Sequence, residues 1–190
     1  MVPTRPRVVV HVAVALDGST RGFQLDLGEY YGLASTWNED VTLTGADTIL
    51  AQESALASAP HPGPNPDGPL LAVVDSQERV TAWDALRSAG YWRDAVPLRG
   101  SAPGERVELA AALAGLGADG AEIVRVDSGG RLIGALLREG LIDEVSLLVH
   151  PCLGDGPTWT DGATGTTFDL THEERRGQGV VWLRYEVTRG

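Results

Sequence analysis

The chain contains no lysine: all 15 of its basic residues are arginine, set against 26 acidic residues. Without a lysine amine the protein cannot form a Schiff base with a carbonyl substrate or with pyridoxal phosphate. It also cannot grip a nucleotide through a Walker-type lysine. Hydride transfer is not excluded, because a nicotinamide cofactor carries that chemistry itself. The missing lysine therefore removes several enzyme classes but leaves oxidoreductases open.

Positive charge and long apolar runs are also scarce. The formal net charge is −11, and the arginines form no basic stripe along the sequence. A duplex-binding surface needs clustered positive charge, so we expect no nucleic-acid partner. No apolar run approaches the roughly 20 residues that cross a bilayer, and prolines interrupt the N-terminal segment where a signal peptide would be apolar. We therefore expect no membrane association.

Signals for disulfides and metals are equally sparse. Cys152 is the only cysteine, which excludes an internal disulfide framework and is typical of a cytoplasmic protein. The four histidines show no paired spacing of the kind that binds zinc, so we expect no metal site. The 190 residues, 43% of them hydrophobic, are enough for one domain over 1–190 with its own core.

Strand-like and helix-like segments alternate along most of the chain. Because strands separated by helices form right-handed parallel units, and because the C-terminal part lacks a helix, we expect an α/β fold. Its sheet should be mixed and mostly parallel, flanked by helices, with an antiparallel C-terminal hairpin. The predicted strands are 8–16, 41–44, 70–75, part of 92–98, 123–126, 145–149, part of 162–171 and 178–188. The predicted helices are 26–37, 47–57, 82–89, 107–116 and one between Gly130 and Gly140.

Two groups of polar residues are predicted to be structural. His11 interrupts the apolar run of the first strand, where a hydrogen-bonded core histidine is favoured over a catalytic one. Glu139, Asp143 and Glu144 follow a predicted helix, and their charge indicates a solvated helix end or a feature of the fold rather than a catalytic cluster.

The most informative stretch is 121–156, AEIVRVDSGGRLIGALLREGLIDEVSLLVHPCLGDG, which reads as strand, Gly-Gly turn, helix and strand. The first N–H groups of a helix have no internal partners and carry partial positive charge, so they attract phosphate. We expect the turn at 128–130 to be one that a side chain would obstruct, with a phosphate or pyrophosphate at 128–135. A plain tight connection is the alternative, since this is neither a GxGxxG nor a Walker motif.

The segment DSGGRLIGALLREGLIDEVSLLVHPCLGDG resembles the signature of the C-terminal domain family of riboflavin-biosynthesis deaminase–reductases. Three further segments are similar to the family in the same order: 8–18, 43–51 and 70–80. The resemblance implies a dihydrofolate-reductase-like fold and NADPH as cofactor. It also implies a small-molecule substrate with a pyrimidine- or pterin-like ring, and a relationship to 5-amino-6-(5-phosphoribosylamino)uracil reductase.

Four predicted strands end in polar or glycine-containing turns, and the carboxyl ends of parallel strands are where α/β sheets bind ligands. The resemblance implies that Thr48 and the turn beginning at Gly129 contact NADPH. In this fold class the turn holding Ser76 and Arg79 meets the adenosine 2′-phosphate, which a hydroxyl and a guanidinium bind well. The expected cofactor-binding residues are Thr48, Ser76, Arg79, Gly129, Gly130, Arg131, Leu132 and Ile133. Helix capping by Thr48 and a solvated Arg79 are the structural alternatives.

Two acidic residues are the candidate catalytic groups. Asp127 occupies a position where the resemblance implies a substrate-holding glutamate, and a carboxylate can accept two hydrogen bonds from a ring edge. Asp17 matches the family's Asp-Gly loop near the nicotinamide, and either Asp17 or water would supply the proton. Turn capping is the alternative for both. Asp127, Trp37 and Gln52 are the candidate substrate-binding residues, and core packing is the alternative for Trp37.

Departures from the family pattern bear on the substrate. The family's loop serine is Ala15 here, and the family's Asp-Asp-Pro is replaced around Gln52 and Ser54. The arginine that would follow, and that would help bind a ribosyl phosphate, is missing, which argues against 5-amino-6-(5-phosphoribosylamino)uracil as the substrate. No zinc signature of a deaminase domain is present, so we expect a stand-alone, divergent reductase. The alternative is a non-catalytic nucleotide-binding or assembly protein that retains the fold.

The resemblance also implies a homodimer. The strand-like segment QGVVWLRYEVT and the neighbouring LLVHPCLG are apolar, and an uncovered strand of this kind invites pairing. A two-fold contact would bury such a patch isologously. If both strands are interior instead, the protein is a monomer.

Overall fold

The computed structural model describes residues 5–188, which fall into two compact units. Residues 5–6 and Glu39–Val124 form the first unit. Arg7–Asn38 and residues 125–188 form the second. The candidate residues named above are distributed over both.

The described strands and helices follow the predicted order. The strands are β1 (Arg7–Ala15), β2 (Val41–Gly45), β3 (Leu70–Val74), β4 (Asp94–Leu98), β5 (Ile123–Val126), β6 (Glu144–His150), β7 (Thr167–Arg175) and β8 (Val181–Thr188). The α-helices are α1 (Leu27–Ala34), α2 (Ala46–Ser58), α3 (Trp83–Ser88), α4 (Leu109–Ala118) and α5 (Gly130–Arg138), and short 3-10 helices cover Ser35–Trp37 and Gly177–Gly179.

The first unit contains a parallel sheet in the order β4-β3-β2. Val41 of β2 lies opposite Leu70 of β3, which in turn lies opposite Asp94 of β4. Because a parallel strand needs a crossover, α2 and α3 follow β2 and β3 and pack their apolar sides on the sheet. The buried cluster consists of Ala46, Ile49, Leu56, Leu71, Val73, Val80, Leu86 and Ala95, with Trp83 and Trp92 packed against it.

The second unit contains the strand order β1-β6-β8-β7. β1 and β6 are parallel, with Val9 opposite Glu144, whereas β8 runs antiparallel to both β6 and β7. A register shift between Leu170 and His172 interrupts the β7–β8 pairing. Parallel pairs joined through helices and an antiparallel C-terminal hairpin confirm the predicted mixed, mostly parallel α/β fold.

The apolar residues of the predicted helix 26–37 are only partly buried in α1. Asp26 is its N-cap and accepts a hydrogen bond from the Glu29 N–H, which satisfies one of the unpaired donors of the first turn. Tyr30, Leu33 and Trp37 are buried, but Leu27 and Tyr31 are 60% and 48% exposed. Only one narrow side of the helix faces the interior. Fewer of its residues are therefore buried than its apolar composition suggests. Leu16, expected within the buried first strand, is also exposed because β1 ends at Ala15.

Candidate active site

The turn from β5 into α5 is formed by 127–129, with Gly129 as the N-cap. Its φ of −77° and ψ of 173° are extended values that any residue adopts, and a Cβ atom added there would meet no atom of the described chain within 4 Å. The prediction that a side chain at Gly129 would collide with other parts of the protein is therefore wrong. The space into which a side chain at Gly129 would project is empty. An anion needs such a space to approach the N–H groups at a helix N-terminus.

Gly130 and Gly134 are glycines for a different reason. A Cβ atom on Gly130 would collide with the carbonyl oxygen of Thr158, and one on Gly134 would collide with that of Thr160. The two glycines let α5 lie directly against the backbone of 158–161. Because Gly129 is the N-cap and the Ile133 N–H already donates to the Gly129 carbonyl oxygen, a ligand would meet the backbone N–H groups of 129–132. Leu132 and Ile133 are buried, whereas the exposed Arg131 can also use its side chain.

Asp127 lies just beyond β5 and forms an ion pair with Arg125, two residues earlier on the same face of the chain. Nη1 of Arg125 lies 3.2 Å from Oδ2 of Asp127. The Arg125 side chain is 7% exposed and that of Asp127 is 26% exposed. A buried guanidinium therefore holds one oxygen of a carboxylate that solvent can reach. Arg125 was not among the candidates predicted from the sequence, although a charge inside an otherwise apolar strand was a visible signal.

His11, in the middle of β1, is buried and hydrogen-bonded through both ring nitrogens. Its Nε2 lies 3.1 Å from the carbonyl oxygen of Tyr30, so Nε2 carries the proton. Nδ1 then accepts from the hydroxyl of Ser146 at 2.9 Å, and that oxygen accepts from Nε1 of Trp182 at 2.8 Å. Burial, with a smaller contribution from the charge of Arg125, lowers the pKa of His11 to about 4. The predicted role as a hydrogen-bonded core histidine is confirmed.

Glu144 is buried in the second unit, which excludes a solvated helix end and fits the other predicted role, a feature of the fold. Its side chain is 2% exposed, at the first residue of β6. Arg7 donates to Oε2 at 3.0 Å, Arg184 to Oε1 at 2.6 Å and the indole of Trp37 to Oε2 at 3.1 Å. These donors lower the pKa of Glu144 against the opposing effect of burial.

Trp37 is held by that carboxylate. Its side chain is buried, its N–H is directed to Glu144, and the guanidinium of Arg184 lies 5.2 Å from its ring centroid. His11 also lies close to the indole, with 5.5 Å between ring centroids. The residue expected to stack on a substrate is thus part of the packed interior, as its structural alternative predicted.

Asp17 lies in the turn after β1, and its exposed carboxylate organises the loop. Oδ1 accepts from the backbone N–H of Ser19 and of Gly154, both at 3.2 Å, and Oδ2 accepts from the Ser19 hydroxyl at 3.0 Å. The hydrogen bond from the Ser19 backbone is the largest cause of a lowered pKa for Asp17. An ionised Asp17 ties the loop to Gly154 and is poorly suited to donate a proton.

In the first unit, Thr48 lies half-buried in the first turn of α2, and Gln52 is exposed one turn later. Asp75 is buried after β3 and accepts from the N–H groups of Arg79 at 3.0 Å and Val80 at 2.9 Å. This capped turn presents a half-buried Ser76 and an exposed Arg79, whose Nη2 lies 2.6 Å from Oδ1 of Asp47. The unit therefore supplies a hydroxyl and a guanidinium on one ordered turn.

Metal-binding clusters and membrane-spanning helices are absent from the described part of the chain. Between residues 5 and 188, no three His, Cys, Asp or Glu side chains are grouped so that they could hold a metal ion. Over the same residues, none of the helices has both the length and the hydrophobicity that crossing a membrane requires.

The fold is that of dihydrofolate reductase and its relatives. The structure is similar to dihydrofolate reductase from Enterococcus faecalis complexed with NADP(H), with a TM-score of 0.59 at 11% identity, over 96% of this chain and 97% of that one. It is also similar to RibD of Acinetobacter baumannii, with a TM-score of 0.72 at 21% identity over 97% of this chain. The match covers 59% of that RibD chain, so this chain spans little more than half of its length.

Residues 35–182 match the RibD C-terminal domain, and the chain belongs to that family. It is 28% identical to the 2,5-diamino-6-ribosylamino-4(3H)-pyrimidinone 5′-phosphate reductase of Archaeoglobus fulgidus, over 83% of this chain and 87% of that protein. The expected family membership is confirmed.

Proposed function

We propose that the protein is an NADPH-dependent reductase of a small molecule with a pyrimidine- or pterin-like ring. The observation that carries the proposal is the open N-terminus of α5 at Gly129, which follows the end of β5 in a chain of the RibD C-terminal family. The similarity to a pyrimidinone phosphate reductase supports the substrate class. We further propose that residues 1–190 act as one domain and that the protein is cytoplasmic.

The residues present suit a dinucleotide phosphate. A Cβ at Gly129 would fill the space that a phosphate needs to approach the first N–H groups of α5. In the other unit, Ser76 and Arg79 would bind the 2′-phosphate, and Thr48 would contribute its hydroxyl. Asp47, now paired with Arg79, would release it at little cost, because both side chains are about half exposed. When bound, the nicotinamide supplies the hydride.

The substrate would be held by Asp127, whose solvent-reachable carboxylate accepts N–H groups of a ring edge. Trp37 would support the fold around this site rather than stack on the ring, because its indole is buried and bonded to Glu144. Gln52, which is exposed on α2 of the first unit, is a further proposed substrate-binding residue. Water would supply the proton, since the hydrogen bonds to Asp17 lower its pKa and favour the carboxylate.

The test is a reductase assay that follows NADPH oxidation with 2,5-diamino-6-ribosylamino-4(3H)-pyrimidinone 5′-phosphate and, separately, with dihydrofolate. NADPH and NADH binding is titrated by fluorescence on the same preparation. Turnover of either substrate with submillimolar NADPH binding is the expected result. Failure to bind either nucleotide at submillimolar concentration would overturn the proposal.

The second candidate is a non-catalytic nucleotide-binding or assembly protein. The hydrogen bonds that Asp17 accepts from Ser19 and Gly154 favour this candidate. They use the carboxylate near the expected nicotinamide position to hold the loop together. In the reductase assay this candidate gives NADPH binding without turnover of any pyrimidine or pterin offered.

We also propose a homodimer. The second unit carries a groove of about 490 Å³ on the β6, β7 and β8 face, and Leu170 of β7 is 50% exposed. The groove is lined by Val145, Leu147, Trp159, Thr166, Thr167, Phe168 and Tyr185. Apolar and aromatic surface of this kind is typical of subunit contacts. Light scattering at micromolar concentration should give twice the 20.1 kDa of one chain; a mass near 20.1 kDa would show a monomer.

A further inference from the structure

Arg125 and Asp127 lie two residues apart at the end of β5, so both side chains point to the same side of the strand. Arg125 is almost completely buried, at 7% side-chain exposure, while Asp127 is 26% exposed. The pair thus joins a buried positive charge to a carboxylate at the surface. A buried guanidinium is expensive unless it is paired, so its position fixes that of its partner.

The hydrogen bond between these residues uses one of the two oxygens of Asp127. Oδ2 lies 3.2 Å from Nη1 of Arg125. A carboxylate has lone pairs on both oxygens, so anchoring Oδ2 also sets the direction in which Oδ1 can accept a donor. The rigid, planar guanidinium is better suited than an ammonium to set the orientation of the carboxylate.

The charges of the pair act on two buried side chains of the second unit. His11 and Tyr30 lie near the pair: the charge of Arg125 contributes to the lowered pKa of His11, and the charge of Asp127 to the raised pKa of Tyr30, after burial in both cases. Both neighbours are locked, since the Tyr30 hydroxyl donates to the His11 carbonyl at 2.7 Å and the His11 ring bonds the Tyr30 carbonyl. Neither side chain is a carboxylate that could compete with Asp127 for the guanidinium.

We propose that Arg125 is a positioning residue for substrate recognition: it holds Oδ2 of Asp127 so that Oδ1 accepts an N–H from the substrate ring. The inference rests on the proposed reductase function. It goes beyond that function by assigning recognition to a pair of residues, and it implies a substrate with an N–H donor on the ring edge that meets Asp127. A ring that presents only acceptors at this edge should not bind.

The experiment compares the single variants R125L, R125K and D127N with the double variant R125L/D127N. Steady-state kinetics use NADPH with 2,5-diamino-6-ribosylamino-4(3H)-pyrimidinone 5′-phosphate, and NADPH binding is titrated separately. R125L should raise KM at least tenfold while the NADPH dissociation constant stays within twofold of wild type. R125K should fall between wild type and R125L, because it keeps the charge but loses the planar fork.

The double variant separates positioning from stability. If Arg125 acts through Asp127, R125L/D127N should have a KM no higher than the worse single variant, because the second change removes nothing further. It also removes the Asp127 charge that R125L leaves without its partner, so it should unfold at a higher temperature than R125L alone. Arg176→Leu is the matched control: Arg176 pairs with Glu29 at 2.8 Å in the same unit, and the KM of this variant should match wild type.

A crystal structure of R125L gives a readout that does not depend on turnover. The Asp127 carboxylate should leave its wild-type position or occupy several rotamers. A KM within twofold of wild type in folded R125L, or an Asp127 carboxylate unmoved in its crystal structure, would overturn the inference. A wild-type protein that neither binds NADPH nor turns over substrate would instead overturn the proposed function, while the R125L structure would still decide whether Arg125 positions Asp127.

Discussion

The carbonyl oxygen of Thr158 occupies the space into which a Cβ atom on Gly130 would project, whereas no atom of the described chain lies in the same direction from Gly129. Two adjacent glycines of one turn therefore serve different purposes. Gly130 allows close packing of α5 against 158–161, and Gly129 leaves the helix N-terminus open to solvent or to a ligand. This difference gives a matched pair of variants for the cofactor site.

Gly129→Val should abolish NADPH binding while the protein stays folded, because the branched side chain blocks phosphate approach but its Cβ meets no atom of residues 5–188. Gly130→Ala should instead destabilise the protein by about 1–3 kcal/mol, because the backbone at 158 must shift. Fluorescence titration and thermal unfolding measure the two effects. Wild-type NADPH affinity in a folded Gly129→Val protein would place the phosphate elsewhere.

Arg79→Ala should remove most of a preference for NADPH over NADH. A charge-assisted phosphate hydrogen bond is worth on the order of 1.5–3 kcal/mol, which corresponds to roughly tenfold to a hundredfold in affinity. Arg87→Ala is the control, because Arg87 is similarly exposed in the same unit and pairs with Asp94 at 3.1 Å. The measurement is the ratio of the dissociation constants for NADH and NADPH in each variant. An unchanged ratio in Arg79→Ala would show that another residue, such as Arg99 or Arg131, binds the 2′-phosphate.

His11 should make the protein less stable in mild acid. Its pKa is about 4 in the folded protein against 6.5 for the unperturbed group, so between these values the unfolded chain binds the extra proton. The free energy of unfolding should therefore be unaffected by His11 above pH 7 and fall by about 3 kcal/mol as the pH decreases to 4. His150, whose pKa burial also lowers, contributes with the same sign.

Urea unfolding at a series of pH values measures this dependence. His11→Gln should be less stable at pH 7 but show a flatter profile between pH 7 and about 5, a range above the ordinary pKa of carboxylic acids. His61→Gln, an exposed position, is the control and should keep the wild-type slope. An equal slope in His11→Gln and wild type would show that His11 is not the group responsible.

Glu144→Ala should destabilise the protein by roughly 3 kcal/mol, because Arg184 and the indole N–H of Trp37 lose their carboxylate partner in a buried setting. The more exposed Glu174 also pairs with an arginine, at 2.5 Å from Arg176, and Glu174→Ala should leave the unfolding midpoint nearly unchanged. Chemical denaturation at pH 7 compares the two. Equal midpoints for both variants would contradict the structural role given to Glu144.

Much of the architecture follows from local signals in the sequence. The apolar run after Arg7 is typical of a buried strand, expected over 8–16 and found at Arg7–Ala15. The glycine turn before Leu132 is typical of a strand-to-helix connection, and α5 begins there. Family membership was also readable, because the motif from Asp127 to Gly156 combines many residues in a distinctive order. The absence of lysine limited the possible chemistry whatever the fold.

The tertiary structure alone decided which charged and aromatic groups became buried. For Glu144 the sequence left open a solvated helix end or a feature of the fold. The register that sets Ser146 opposite Arg184 helps bring three donors to this carboxylate. Tyr30 and Tyr31 are the same residue type side by side, yet Tyr31 is 48% exposed and Tyr30 is buried against His11. A sequence pattern indicates the face of one element, whereas burial of a charge depends on partners 40 to 137 residues away, which only the folded chain brings within hydrogen-bonding distance.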